Sequence, residues 1–135
     1  MRIPPAGTFL QEPFRTDAGH WRAPVDGDGT GLRVPDGDGA PDAASLALAE
    51  RALPEAGALV EEARAYLAGT VDFARASLHG DPEVIGVTCD ALSATVTLEL
   101  NWDSDLYSLW HVRFRWRPDG GRTPIAFGRR DWEPE

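Results

Sequence analysis

The sequence predicts an α+β domain in which an antiparallel sheet carries two helices on one face, in the element order β-β-α-α-β-β-β-β. Three observations carry that expectation. Residues 83–132 contain four stretches of alternating apolar and polar residues separated by Asp-, Gly- and Pro-rich turns. Residues 42–79 instead place apolar residues at three- and four-residue steps, the helical period. Ahead of them, two shorter alternating stretches flank an Asp-Gly signal. A length of 135 residues is one domain, and 42% hydrophobic with 26% charged residues is ordinary globular composition.

Taken in order, residues 1–17 are rich in proline and turn formers and read as a loosely held arm. Residues 18–35 form an edge hairpin, because Pro24 and Pro35 suit strand ends and sheet edges. The hairpin's turn opens the stretch DGDGTGLRVPDGDG (26–39), which raises the question of a calcium loop. Counted from Asp26, Asp28, Thr30 and Gly31 meet the early requirements of an EF-hand. Gly37 then stands where a bidentate glutamate is required. From Asp36, Pro41 falls where the loop needs glycine. The stretch reads as two turns.

Asp42 is a suitable N-cap for the first helix, and Pro54 interrupts that helix while being well placed to begin another. Leu59, Val60, Ala63, Tyr66, Leu67, Val71 and Ala74 make the second helix amphipathic, with Gly69 placed to bend or shorten it. Gly80 is the expected C-cap and Pro82 the stop. The last block, 83–132, is an antiparallel meander of strands over 83–90, 92–102, 106–116 and 123–132. Leu92, Ala94, Val96, Leu98, Leu100 and Trp102 are expected on one face of its second strand.

Composition excludes several chemistries. Cys89 is the sole cysteine, so neither an intrachain disulfide nor a cysteine-rich zinc site can form. All 13 basic residues are arginine, which removes lysine Schiff-base chemistry and the Walker lysine. A formal charge of −9 argues against general nucleic-acid binding and suits a basic protein partner. No apolar run is long enough for a signal peptide or a membrane span, so a cytoplasmic location is expected.

The residues most suggestive of binding lie in the third strand of the meander. With Trp110, Val112, Phe114 and Trp116 inward, Tyr107, His111, Arg113, Arg115 and Arg117 point outward. Six arginines and one acid, Asp119, fall between Arg113 and Arg130. Arginine forks match carboxylate and phosphate, so Arg129, Arg130 and the neighbouring Trp132 join the candidate surface. A solvated sheet face with Glu99 and the acidic helices as partners is the competing account, and Trp132 fits packing as well as exposure.

No metal site or cofactor is expected, since His20, His79 and His111 show no ligand spacing. No catalytic residue is assigned. Asp103 and Asp105 beside His111 are the one constellation with acid–base character, and turns attract aspartate on backbone grounds alone. Cys89 reads as a small buried hydrophobe.

The segments VEEARAYLAGTVDF, LWHVRFRW and IAFGRRDW resemble small bacterial α+β families of unknown function, some of them similar to immunity proteins of polymorphic toxin systems. The resemblance spans roughly residues 19–132 in element order and carries over no functional residue. It implies an interaction role. Together with the charge, it makes the leading expectation a non-enzymatic module, an immunity or inhibitor protein masking a basic partner. The alternative is a small anionic-ligand domain using the arginine-bearing sheet face.

Overall fold

The alternating stretches do pair into one sheet, and the helical segment packs across it. The computed structural model describes residues 14–15, 20–25 and 30–132 of the 135. Its strands are β1 (Phe14–Arg15), β2 (His20–Val25), β3 (Thr30–Pro35), β4 (Glu83–Asp90), β5 (Thr95–Asn101), β6 (Ser108–Trp116) and β7 (Arg122–Asp131). Between β3 and β4 lie α1 (Ala43–Ala52), α2 (Ala56–Ala68) and the short α3 (Val71–Ala76). Apart from residues 14–15, the N-terminal arm lies outside the described residues, as does the turn at 26–29. Phe14 and Arg15 form β1, a two-residue edge strand that sequence periodicity does not reveal.

The sheet has seven strands in chain order. Every neighbouring pair is antiparallel except β3 and β4, which run parallel through Gly31–Gly86, Leu32–Val87 and Arg33–Thr88. The wholly antiparallel sheet expected from the sequence is therefore corrected at one seam. A helical connection that returns along the sheet delivers the next strand in the same direction, so adjacent strands joined by it must be parallel.

This one crossover deposits all three helices on one face. Trp21, Ala23, Leu32, Val34, Val87, Cys89, Val96, Leu98, Leu100, Trp110, Val112, Phe114 and Trp116 project there from the strands and are buried. Leu48, Leu53, Leu59, Ala63 and Leu67 meet them from the helical side. Trp102, Trp110 and Phe73 pack edge to face at centroid separations of 5.5–6.4 Å. Small residues on α1 and α2 (Ala49, Ala52, Ala63) bring the helices close to the sheet.

Local signals acted largely as read. Asp42 caps α1, its Oδ2 accepting from the Ser45 amide at 3.0 Å. Pro54 sits in a 3₁₀ turn, Leu53–Glu55, that links α1 to α2. Gly69 ends α2. Three details differ. The cap of α3 is Ser77, at φ +53°, and Gly80 follows in the loop. Strand β5 starts at Thr95, after a turn in which Ala94 adopts φ +56°, and Leu92 is 96% exposed. Tyr107 precedes β6 in an exposed turn, and Arg117 follows that strand into the next turn.

Two bulges decide which side chains face which way. In β4 the ladder steps from Val84–Leu100 to Gly86–Glu99, leaving Ile85 as the extra residue. In β7 it steps from Ala126–Arg113 to Pro124–Phe114, leaving Ile125 over. The second bulge keeps Arg122 on the helical side opposite Trp116. There its Nε meets both Glu62 oxygens at 3.1 Å and its Nη1 meets Glu55 at 2.7 Å.

Candidate functional site

No described helix or strand layer covers the second face of the sheet. Following the register across it, Arg22 stands opposite Arg33, Arg33 beside Thr88, Thr88 opposite Thr97, Thr97 opposite Arg113, and Arg113 opposite Ala126. The next row toward the end of β7 reads Gly31, Gly86, Glu99, His111, Gly128. Small residues thus form the floor, and long charged side chains stand on either side of it.

The glycines let those side chains lie flat on the sheet. A Cβ at Gly31 would fall 2.8 Å from Arg22 Nε, and one at Gly86 2.9 Å from Glu99 Oε1. At Gly128 it would strike the His111 imidazole. Alanine at these positions would lift the arginine, the carboxylate and the imidazole off the surface.

Over the first two glycines is a cavity of about 90 Å³ lined by Arg22, Arg33, Glu99, Arg130 and Trp132, with Ile85 and Leu109 at its apolar side. Arg130 donates to Glu99 at 3.1 Å and neutralises it. Arg33 Nε is buried and has no hydrogen-bond acceptor. Among the described residues, Arg22, Arg33, Arg113 and Arg115 have no carboxylate partner.

Some other arginines differ in that respect, although Arg51 and Arg75 on the helices also have no carboxylate partner among the described residues. Arg122 is held by Glu62 and Glu55, and Arg64 by Asp81 at 2.9 Å and Glu61 at 3.4 Å. Arg129 bonds Asp105 at 2.8 Å and lies over the Trp110 ring.

The candidate residues from the sequence therefore separate. His111, Arg113, Arg115 and Arg130 lie on the open face as expected. Trp132 is half-buried, its amide bonded to the Tyr107 carbonyl at 2.8 Å, and its side chain walls the cavity. Arg129 is a correction: it stands opposite Trp110 and therefore faces the helical side. Adjacent strand residues point to opposite faces, so it and Arg130 cannot share a surface. Arg117 lies just past the end of β6 and bonds Thr123, the residue opposite Arg115, at 2.8 Å, so it stays on the open side, with Asp119 3.9 Å away in the same turn. Tyr107, in its turn, is 69% exposed and outside the sheet rows.

Arg22 and Arg33 escaped the sequence reading. Their signal was present, because each alternates with buried neighbours, Trp21 and Ala23 in one case and Leu32 and Val34 in the other. Joining them to the β6 arginines required the parallel β3–β4 seam.

Electrostatics on this face favour anions. Burial lowers the His111 pKa, Glu99 opposes that, and Arg113 and Arg130 reinforce it, so the imidazole is neutral at pH 7. Asp105 does not meet His111. It accepts from Trp110 Nε1 at 3.0 Å and from Arg129, partners on the helical side, so an acid–base pair with His111 is not assembled. Cys89 is fully buried, and burial pushes its thiol up to about 12, which removes it as a nucleophile at neutral pH. Among the described residues no group of three or more His, Cys, Asp or Glu side chains is placed to hold a metal ion. No described helix is long and apolar enough to cross a membrane.

The chain matches no protein-family model, no curated protein and no solved structure.

Proposed function

We propose that this protein is a non-enzymatic interaction module whose open sheet face engages a protein partner through that partner's anionic groups. One observation carries the reading: Arg22, Arg33, Arg113 and Arg115 share an uncovered face without carboxylate partners, while Arg64, Arg122 and Arg129 are all paired. The guanidinium forks of Arg113 and Arg115 are exposed and suited to bidentate contact with carboxylate or phosphate, with Arg22 and Arg33 half-buried on the same face. Arginine is also enriched at interface hot spots.

A second reading, the immunity- or inhibitor-like one, has the acidic surface mask a basic partner. It is favoured by Glu50 and Asp72, which are exposed on the helices and carry no ion pair among the described residues.

Calorimetric titration with an oligo-glutamate and an oligo-arginine peptide separates the two. The first reading expects oligo-glutamate binding that R113E/R115E abolishes and E50R/D72R leaves intact. Binding of oligo-arginine alone, lost in E50R/D72R, would establish the second reading and overturn the first.

A further inference from the structure

We propose that the cavity over Gly31 and Gly86 binds a single phosphate monoester group. The inference rests on the open face recognising anions, and it names the group that enters deepest.

The register sets Arg22 directly opposite Arg33. Like charges so placed repel, and a sheet carries such a pair at a cost unless something compensates it. Here no described residue does. Glu99, the one acid in the cavity wall, is already occupied by Arg130 at 3.1 Å. The wall therefore has an excess of two positive charges, the complement of a phosphate monoester at about −1.5 to −2 near pH 7. A carboxylate supplies only half of that.

The buried Arg33 Nε points to the same group. A buried N–H without an acceptor keeps its desolvation cost, and no described carboxylate pairs with this guanidinium, so its charge stays available to an anion in the cavity. The glycine floor matters because it lets the Arg22 guanidinium and the Glu99 carboxylate lie low against the sheet, which leaves the space above them open. The volume of about 90 Å³ leaves room for one tetrahedral anion. Ile85, Leu109 and Trp132 exclude solvent on the apolar side, which strengthens the guanidinium contacts. Whatever bears the phosphate must then extend over Thr88 and Thr97 toward Arg113.

The test follows the arginine Nε–H and tryptophan indole signals by ¹H–¹⁵N NMR during titration with inorganic phosphate, against sodium chloride of equal ionic strength. Saturable shifts at Arg22, Arg33 and Trp132 are expected with phosphate alone. R33Q, and G86A as a variant that keeps every charge, should each weaken binding by roughly tenfold. R115Q, away from the cavity, should not. A Cβ at residue 86 presses on the tip of the flexible Glu99 side chain and meets the Gly31 carbonyl at an ordinary 3.5 Å, so G86A is expected to fold even if R33Q does not.

Chloride reproducing the shifts, or G86A binding phosphate as tightly as wild type, would overturn the proposal. A phosphoserine peptide that binds tighter than phenyl phosphate, with dependence on Arg113, assigns the phosphate to a protein segment. Equal binding without that dependence assigns it to a small ester, and both support the site. If phosphate fails while oligo-glutamate still binds through Arg113 and Arg115, only the pocket falls. If both fail, the open-face reading falls too.

Discussion

Single residues in this protein are tuned by what they touch, and Asp105 shows how. Burial acts to raise its pKa, but hydrogen bonds from Arg129, Trp110 and Ser108 outweigh that and hold the carboxyl below its usual range. A depressed folded value means that the unfolded chain takes up the proton first as pH falls. The stabilisation is therefore complete above the ordinary aspartate value of about 4 and is lost as pH drops through the folded value. Replacing Asp105 with Asn keeps the shape and removes the titration. Urea midpoints of wild type and D105N should differ near neutrality, begin to converge below about pH 4 and meet only below the folded value. A gap that stays constant with pH would show that Asp105 acts by packing alone. Arg122 belongs to the same scale: its side chain is 13% exposed, and its guanidinium ties Glu62 and Glu55 to the Trp116 ring.

Elements are joined by short polar chains at their ends. Asp42 accepts from the Ser45 amide and, at 2.6 Å, from its hydroxyl. The same hydroxyl accepts from the Ala91 amide at 2.9 Å, so the cap of α1 also fastens the β4–β5 turn. Asp42→Ala should cost about 1 kcal/mol through the lost cap. Ser45→Ala should cost about 1–3 kcal/mol, because it strands the Ala91 amide at a site where Ser45 is fully buried. Thermal melts order the two, and a neutral Ser45→Ala would show that water replaces the hydroxyl. This cap was legible in the sequence, as were the six longer strands, since both are local signals. What stayed hidden was non-local. The parallel seam depends on where a 47-residue connection between Pro35 and Glu83 lands. The bulges at Ile85 and Ile125 are settled by cross-strand pairing. Leu109 shares the outward parity of His111 and Arg113, yet it is 1% exposed because Arg130 and Trp132 stand with it around the cavity. Arg129 is the opposite lesson: adjacency to Arg130 along the chain suggests one shared surface, and the alternation of neighbouring strand residues separates them.

At the scale of the whole molecule, one crossover yields one helical layer, and one helical layer leaves one face of the sheet open. That asymmetry sets Arg22, Arg33, Arg113 and Arg115, without carboxylate partners among the described residues, on the open face of a protein whose net charge is −9. The two length scales then oppose each other. At about 0.01 M salt the Debye length is roughly 30 Å, so an approaching anion feels the net negative charge of the whole molecule. At about 0.15 M it is roughly 8 Å, and the same anion feels only the arginines in front of it. Affinity for oligo-glutamate should therefore rise as salt increases from the lower to the higher value. It should fall only beyond that, when the local contacts are screened as well. A basic peptide attracted by the net charge would instead lose affinity steadily from the lowest salt upward. A salt series with both peptides distinguishes these courses. A steady loss for oligo-glutamate would mean that the open face does not act as a local positive site within an acidic protein. A maximum near physiological salt, abolished in R113E/R115E, is the signature that segregated charge alone can give.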